Sequence, residues 1–420
     1  MQFDILIIGA GAAGLSAAGK LAEKGYKVGL LEATGKAGGR IATLFREGFD
    51  RPIETGAEFV HGEAEFTFEL FKKANINYQS VEGEMVTIQD GVWLTGEAPG
   101  GEFELLTEKL EQLNEDCPID QFLDKYFPVS EYEMLRRSVQ QFAEGFSLAD
   151  TGKASVLAFK KELQQLNEEQ YRPTGGYHQM INYLLEQCIH FNTKIFFNSP
   201  VGRVEYADKH VNIYTYDNKQ YAAEKLIVTV SAAVLQSGGI QFSPSLSRHG
   251  AAIQQLGFGS VIKFLYHFKT SFWEEHSKDI GFLLSDEIVP TWWTQFPEHS
   301  PLLTGWLGGP KASKAGSLSM NVLHDLAINS LSKIWHLDKT LVQRELVHHD
   351  IICWDHHPYI RGGYSYNTIA SGKAKEILQK PINDTLYFAG EAIYTGASQG
   401  TVEAALGSAQ KVTEIIIGKR

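Results

Sequence analysis

The chain has 420 residues, which is longer than the usual single domain of about 100 to 200 residues, so we expect at least two domains. Hydrophobic residues make up 43% of the chain and charged residues 21%, a composition that excludes general disorder. The formal net charge of -12 disfavours nucleic acid as a partner, because such binding normally requires a basic patch. Cys117, Cys188 and Cys353 stand far apart without a CxxC pair, so the sequence predicts neither a disulfide framework nor a zinc site.

Signals for secretion or membrane insertion are also missing from the sequence pattern. An apolar stretch begins directly after Met1, which leaves no room for a signal peptide. No window approaches the run of about 18 apolar residues that indicates a membrane-spanning helix. We therefore expect a soluble, cytoplasmic protein without a membrane partner, and the sequence leaves its oligomeric state open, with a homodimer as the candidate.

The first 33 residues predict a strand, a glycine turn, a helix and a second strand. The strands are expected at 4–8 and 27–31, and the helix at 16–24. Between 65 and 190 the pattern is mostly helical, with amphipathic stretches at 65–71 and 131–142. The other predicted elements are strands at 194–197, 201–206, 211–216 and 225–230, an α/β stretch at 258–350, a strand at 385–389 and a last helix near 401–417.

A Gly9-x-Gly11-x-x-Gly14 motif joins the first strand to the first helix. Its glycines permit a tight turn, close approach of the backbone to a pyrophosphate, and close packing of helix on strand. Glu32 follows the second strand near the spacing of about 20 residues expected for a carboxylate that holds ribose hydroxyls. The motif predicts a dinucleotide site, although a glycine turn in an ordinary βα unit would look similar. The expected contacts of this site also include Ala13 and Ala33.

A second glycine segment, Gly38-Gly39-Arg40, follows soon after Glu32. Backbone donors at Gly39 and the guanidinium of Arg40 can reach the same pyrophosphate, which a plain nicotinamide fold does not require. This segment therefore favours FAD over NAD as the cofactor. Read alone, it would be an unremarkable surface loop.

The C-terminal part offers a further carboxylate and a helix start. Glu391 and Gly390 follow a predicted strand, and a carboxylate there can accept hydrogen bonds from a ribityl chain. Gly400, Thr401 and Val402 open the last helix, whose N-terminus can stabilise negative charge on the pyrimidine edge of a reduced flavin. A helix that simply begins at a glycine is the alternative.

Because the first and last segments both look like pieces of a nucleotide-binding fold, we expect an α/β chain with discontinuous domains. The FAD-binding domain, of the GxGxxG-type and Rossmann-like, is expected at 1–75, 190–257 and 355–420. The α+β substrate-binding domain, a sheet flanked by helices, is expected at 76–189 and 258–354.

The sequence resembles the flavin-containing amine oxidases, the group that holds monoamine and polyamine oxidases. The matching segments occur in the same order over almost the whole chain, which is more specific than any single motif. They are GAGAAG at 9–14, Glu32, GGR at 38–40, ETGAEFVHG at 54–62, AEGFS at 143–147, Gly175-Gly176, GSVIK at 259–263 with Phe272-Trp273, WDHHPYIRGGYSY at 354–366 and FAGE at 388–391.

The resemblance implies an oxidase whose catalytic lysine is Lys263, facing the flavin N5 through a bound water. An isolated strand lysine that points to solvent is the alternative. In the implied reaction a hydride equivalent leaves the carbon that bears the amine for the flavin, and water hydrolyses the imine to a carbonyl compound. O2 then reoxidises the flavin and yields hydrogen peroxide.

The sequence departs from monoamine oxidases at two places. Their flavin is attached through a cysteine, whose position here is Tyr364, so we expect non-covalent FAD. The two cage tyrosines of that group fall on Ser365 and on or near Ala397. Neighbouring tyrosines could rebuild an aromatic substrate wall, and the candidates are Tyr364, Tyr366 and Tyr394.

Three further residues complete the expected site. His61 resembles a histidine near the amine path of some polyamine oxidases, but it could equally be a histidine satisfied by local backbone. Trp354 resembles a tryptophan that packs beside the flavin ring, with a core role as the alternative. Val201 is an expected cofactor contact.

His356 and His357 are expected to be a solvated pair, because adjacent side chains point apart and no partner has ligand spacing, so no metal is expected.

The leading hypothesis is an FAD-dependent amine oxidase that acts on a small-molecule amine. An L-amino-acid oxidase would need a cation for the substrate carboxylate, and a desaturase or protoporphyrinogen-oxidase-like enzyme fits the Lys263 and 354–366 segments less well. A hypothesis of another class is an interaction protein that is stabilised by flavin and turns over little, which the missing tyrosine cage motivates.

Overall fold

The computed structural model describes residues 2–89, 91–94, 100–164, 169–396 and 398–419. Two large sheets dominate these residues: the first combines strands from 2–31, 194–243 and 386–388, and the second combines strands from 84–94 and 261–353. The helices are α1 (Ala12–Glu23), α2 (Glu65–Ala74), α3 (Gly100–Glu111), α4 (Ile119–Tyr126), α5 (Val129–Gly145), α6 (Val156–Gln164), α7 (His178–His190), α8 (Ala232–Gln236), α9 (Arg248–Ile253), α10 (Gly309–Ala315), α11 (Met320–Ile334), α12 (Lys339–Glu345), α13 (Ser371–Leu378) and α14 (Val402–Ile417).

The strands include every one that the sequence pattern predicted, with ends shifted by a few residues. They are β1 (Gln2–Ile8), β2 (Val28–Leu31), β3 (Thr43–Leu44), β4 (Ile53–Glu54), β5 (Val60–His61), β6 (Tyr78–Ser80), β7 (Glu84–Gln89), β8 (Val92–Leu94), β9 (Gln170–Pro173), β10 (Lys194–Phe196), β11 (Val201–Ala207), β12 (His210–Thr215), β13 (Gln220–Val228), β14 (Gln241–Ser243), β15 (Gly257–Phe258), β16 (Val261–Phe268), β17 (Ile280–Ser285), β18 (Thr291–Trp293), β19 (Leu302–Gly308), β20 (Leu346–Cys353), β21 (Ser365–Tyr366) and β22 (Leu386–Phe388). Short 3-10 helices cover Phe272–Glu275, Trp354–His356 and Glu391–Ile393.

The first sheet joins the N-terminal and C-terminal parts of the chain. Its order is β10-β2-β1-β13-β12-β11-β14, and β22 pairs with β13. Strands β10, β2, β1, β13 and β22 are parallel, so their carboxyl ends lie along one edge. Gly9, Glu32, Thr229 and Ala389 follow four of these strands and therefore meet at that edge, where ligands of open α/β sheets bind.

Helices α1, α7 and α14 cover one face of this sheet. Helix α1 is rich in alanine and glycine, and its Gly19 faces Gln187 and Cys188 of α7 across the helix contact. Leu15, Leu184 and Val412 share one apolar core with Ile5 and Ile7 of β1. Helix α7 lies within the expected substrate-domain range 76–189, yet it packs here against α1.

The second sheet has the order β20-β16-β19-β18-β17-β7-β8. It is mainly antiparallel, with β7 joined in parallel to β17. Strands β7 and β8 come from a region whose pattern was expected to be mostly helical. Strand β16 lies inside the sheet, and buried residues such as Phe264 and Tyr266 anchor it to Trp292 and Ile328. The position of β16 decides where Lys263 lies.

Among the residues that the structure describes, no helix has the length and hydropathy needed to cross a membrane.

Candidate active site

A cavity of about 1780 Å³ extends from the carboxyl edge of the first sheet to the second sheet. Its volume exceeds the range of about 300 to 1,000 Å³ that is typical of small-molecule sites, so it has room for both a cofactor and a substrate. Apart from Gly14 and Tyr366, the site residues predicted from the sequence line this cavity. They are Gly9, Gly11, Ala13, Glu32, Ala33, Gly39, Arg40, His61, Val201, Lys263, Trp354, Tyr364, Gly390, Glu391, Tyr394, Gly400, Thr401 and Val402.

The glycine motif forms a tight cradle at the start of α1. Gly9 has φ +108°, a conformation that L side chains rarely adopt, and an added Cβ there would lie 2.8 Å from Thr229 Oγ1. Gly14 lies behind the cavity wall, where an added Cβ would lie 1.8 Å from the carbonyl oxygen of Gly9. The helix therefore sits directly against the turn, with its N-terminus toward the cavity, as an anion site requires.

Glu32 is fixed at the end of β2 by local donors. One oxygen accepts the backbone N–H of Ala10 at 2.8 Å, and the other accepts the N–H and hydroxyl of Thr34, each at 2.8 Å. The carboxylate is buried and faces the cavity. It is positioned for the ribose contact that the sequence predicts, and that contact stays a prediction.

Arg40 and Glu391 bind each other across the cavity wall. Arg40 donates to Glu391 at 2.7 Å and to the carbonyl of Gly363 at 3.0 Å, while Ser365 donates to the other oxygen of Glu391 at 2.6 Å. Both oxygens of Glu391 thus have protein partners, a pairing that the sequence did not indicate. The expected contacts of Arg40 with a pyrophosphate and of Glu391 with a ribityl chain stay predictions.

The last helix begins at the cavity in a capped conformation. Thr401 Oγ1 accepts the backbone N–H of Ala404 at 3.2 Å, which satisfies one of the free donors of the first turn. Glu403 accepts from the backbone N–H groups of Phe66 and Thr67 at 3.0 and 2.8 Å and so ties α14 to the start of α2. The N-terminus of α14 is therefore held rigidly toward the cavity.

Lys263 lies on β16 with only 1% of its side chain exposed, so it does not point to solvent. Its ammonium donates to Glu58 Oε2 at 2.6 Å and to the carbonyl of Gly56 at 3.3 Å. It also lies 5.3 Å from the ring centroid of Trp293, within cation–π range. The candidate catalytic lysine thus occupies a fixed position in the cavity wall.

Glu58 is the most important residue that sequence reasoning missed. Its other oxygen accepts from Arg172 at 2.9 Å and from the indole N–H of Trp293 at 3.1 Å. Burial alone would raise the pKa of Glu58, but the charges of Lys263 and Arg172 outweigh it and hold the pKa below its usual value. The sequence signal that could have revealed Glu58 is a charged residue between two apolar ones, Ala57 and Phe59.

An aromatic wall surrounds Lys263 on the cavity side. The Trp306 ring lies 5.8 Å from Trp293 and stacks on Tyr364 at 6.4 Å and 24°. Tyr364 donates its hydroxyl to the carbonyl of Phe146, and Trp354 donates its indole N–H to the carbonyl of Thr55 at 2.9 Å. The sequence predicted Tyr364 and Trp354 but not the two tryptophans from β18 and β19.

The other candidates for an aromatic wall divide between cavity and core. Tyr394 lines the cavity and its ring packs against Gly407. Tyr366 belongs instead to the apolar core of the helices α4 to α6. Ser365, at the first cage position, is buried against Glu391, and Ala397 lies outside the described residues.

His61 is a neutral imidazole in the cavity wall near physiological pH. Burial lowers the pKa of His61 to about 4, and its ring meets Phe59 and Phe146 edge-on at 6.3 and 5.7 Å. His357 also lines the cavity, whereas His356 contacts the carbonyl of Gly316 at 2.9 Å. Within the described ranges, no group of three or more His, Cys, Asp or Glu side chains is placed to hold a metal ion.

The family model of flavin-containing amine oxidoreductases matches residues 12–123 and 102–417, which is most of the chain and includes Lys263 and the residues around it. The chain belongs to this family. Lysine-specific histone demethylase 1 homolog 3 of Arabidopsis thaliana is 26% identical to this amine oxidoreductase, over 92% of the chain and 28% of the relative. Polyamine oxidase 4 of Oryza sativa subsp. japonica is 25% identical, over 99% of the chain and 89% of the relative.

Solved structures support the same architecture. Wild-type putrescine oxidase bound to putrescine superimposes on this amine oxidoreductase with a TM-score of 0.83, covering 100% of this chain and 99% of that chain at 20% identity. At that identity the likeness shows the fold alone. The chain spans 28% to 52% of the length of three histone demethylases that it matches.

The flavin cofactor of this amine oxidoreductase is FAD, and the cavity fits it. The Gly9–Gly14 cradle, Glu32 and the N-terminus of α1 offer a site for a nucleotide and its phosphates. Lys263 and the aromatic wall lie in another part of the same cavity. The roles of individual residues toward FAD stay predictions.

Proposed function

We propose that this chain is an FAD-dependent amine oxidase that converts an amine to an imine, which water hydrolyses to a carbonyl compound, with O2 reduced to hydrogen peroxide. The observation that carries the proposal is the ammonium of Lys263, held 2.6 Å from Glu58 in the wall of the cavity that contains the dinucleotide cradle. When bound, FAD supplies the redox chemistry by accepting the hydride equivalent and passing the electrons to O2.

The protein residues have binding, orienting and electrostatic roles in this proposal. The Lys263 ammonium can hold a water or O2 by hydrogen bonding and stabilise negative charge that develops as O2 is reduced. Trp306 and Tyr364 form a flat apolar wall that limits water and orients the carbon bearing the amine. Neutral His61 can accept a hydrogen bond from an amine, and its lowered pKa keeps it unprotonated.

We propose non-covalent attachment of FAD. Tyr364 occupies the place of the attaching cysteine, and its hydroxyl is engaged with the carbonyl of Phe146. A neutral phenol held in this way is a poor substitute for a thiolate, and burial raises the pKa of Tyr364 further. The flavin is therefore held by contacts along the cavity.

The substrate in this proposal is a primary or secondary amine. Polyamine oxidase 4 and putrescine oxidase carry names that point to aliphatic amines, and the net charge of -12 suits a cationic ligand in solution. These similarities support amines as the substrate class and leave the individual compound open. Polyamines and simple monoamines are therefore the first compounds to test.

The proposal is tested by aerobic turnover of the FAD-loaded protein with a panel of monoamines, polyamines and amino acids. We expect hydrogen peroxide and carbonyl product in equal amounts with at least one amine. Lys263→Met should lower turnover with O2 by at least about tenfold. Lys311→Met, which removes an exposed lysine paired with Glu144, is the matched control and should behave like the parent protein. Absence of peroxide with every amine would contradict the proposal.

A further inference from the structure

We propose that Glu58 is the positioning residue of Lys263: it fixes the ammonium at one point of the cavity wall and supplies the buried counter-charge for that ammonium. This inference rests on the proposed function, because it concerns the lysine that serves the oxygen half-reaction. It assigns a role to Glu58, which lies in the 54–62 segment.

The geometry of Glu58 leaves its carboxylate little freedom. One oxygen binds Lys263 at 2.6 Å, and the other binds Arg172 at 2.9 Å and Trp293 at 3.1 Å. These donors come from three strands, β16, β9 and β18. Such a carboxylate cannot follow Lys263 if the lysine moves, so it defines the position of the ammonium rather than adapting to it.

Burial makes this pairing necessary. The side chains of Lys263 and Glu58 are 1% and 6% exposed, and that of Arg172 is 11% exposed. Desolvation strongly disfavours a charged lysine that has no carboxylate, and Arg172 adds a second positive charge nearby. Without Glu58, the lysine would more readily lose its proton, because the neutral amine needs no counter-charge.

The other charged groups around Lys263 and Arg172 do not replace Glu58 as the carboxylate partner of Lys263. Glu54 is close enough to interact with Lys263 and Glu58, but its carboxylate accepts from Thr43 and from the backbone N–H of Tyr177. Burial raises the pKa of Glu54 to about 7, so it is only partly ionised near neutral pH. Arg51 adds positive charge near Arg172.

The test compares FAD-loaded parent protein, Glu58→Gln and the double variant Glu58→Gln/Lys263→Met. Oxidised protein is titrated from about pH 6 to about pH 9 while the visible flavin spectrum is recorded, which requires no amine. Glu54, whose pKa is about 7, titrates within this range in all three proteins. Beyond that shared background, we expect an additional spectral step in Glu58→Gln that is missing from the parent and from the double variant. The step would then belong to Lys263.

A kinetic experiment gives the functional consequence. Photoreduced protein is mixed with O2, and reoxidation is followed across the same pH range. Reoxidation of Glu58→Gln should slow by at least about tenfold from the acid to the alkaline end, since loss of the proton removes the ammonium. The parent should vary by less than about twofold. Because photoreduction replaces the amine, this result does not depend on finding a substrate.

Glu54→Gln is the matched control, since it neutralises a neighbouring buried carboxylate that makes no hydrogen bond to Lys263. Apart from the loss of its own titration near pH 7, its spectrum and reoxidation should follow the parent. Glu58→Asp, which keeps the charge on a shorter side chain, should show a weaker pH dependence than Glu58→Gln, and it serves if Glu58→Gln does not retain FAD. A Glu58→Gln or Glu58→Asp variant with no pH dependence beyond that of the parent, or an additional step that persists without Lys263, would overturn the proposal.

Discussion

The Arg40 guanidinium lies 2.7 Å from the Glu391 carboxylate, although 351 positions separate the two residues in the sequence. This ion pair connects the glycine loop after β2 to the turn after β22. The side chains are 28% and 5% exposed, so the pair is partly sheltered from solvent. It therefore joins the N-terminal and C-terminal parts of the chain at the wall of the candidate FAD cavity.

We expect Arg40→Met to weaken FAD binding by at least about tenfold, because the variant loses a cavity-lining cation and leaves buried Glu391 without the arginine that pairs with it. Titration of the apoprotein with FAD measures the dissociation constant. Arg46→Met, which removes an exposed arginine paired with Asp350 outside the cavity, should bind FAD like the parent. Equal dissociation constants for Arg40→Met and the parent would contradict the expected role.

The first βαβ unit and the glycine cradle could be predicted because their signals are local. The Gly9–Gly14 spacing, the apolar runs on either side and Glu32 all lie within one short segment. Strand β7 was not predicted, because Glu84–Gln89 carries three exposed residues and gains its place by parallel pairing with the distant β17. Pairing between remote segments leaves little trace in a local pattern.

The residues of the candidate site also divide into those that the sequence could predict and those that it could not. Family-like motifs placed Lys263, His61 and Trp354 in one cavity, as the structure shows. Glu58 and its second partner Arg172 were missed because they stand in segments far from β16 in the sequence and meet Lys263 and each other only in the fold. Isolated tryptophans such as Trp306 carry no sequence signal that separates a cavity wall from an apolar core.

Gly14→Ala should disrupt the cradle. Its Cβ would lie 1.8 Å from the carbonyl oxygen of Gly9, a backbone atom that cannot move without displacing the turn. We expect loss of most bound FAD, measured by the ratio of flavin to protein absorbance after purification. Gly250→Ala is the control, because that helical glycine has only a Leu246 contact at 3.6 Å; it should keep its FAD and gain up to about 1 kcal/mol of stability. Full FAD content in Gly14→Ala would contradict this account.

His61 should make the protein less stable in acid. Its pKa is about 4 in the folded state and about 6.5 when unfolded, so the unfolded state binds more protons as the pH falls between these values. Stability is therefore lost from about pH 6.5 toward about pH 4. In urea unfolding of the FAD-loaded protein, the free energy of unfolding of His61→Asn should fall by about 2 kcal/mol less than that of the parent over this range. The control His190→Asn, at an exposed helix end, should lose as much stability as the parent. An equal loss of stability in His61→Asn and in the parent would disprove the assignment of the acid effect to His61.

Acid precipitation should release all flavin into the supernatant, because Tyr364 provides no thiol for attachment. The measurement is the absorbance of the supernatant and of the washed pellet. Yellow colour that stays with the denatured protein would show a covalent bond and contradict the proposed attachment.

Anaerobic mixing of the FAD-loaded protein with amines tests the central claim most directly. We expect at least one primary or secondary amine to bleach the oxidised flavin absorbance, and air to restore it with release of hydrogen peroxide. Recovery should be slower in Lys263→Met while the bleaching by amine remains. A flavin that stays oxidised with every monoamine, polyamine and amino acid tested, yet is reduced by light, would contradict the account.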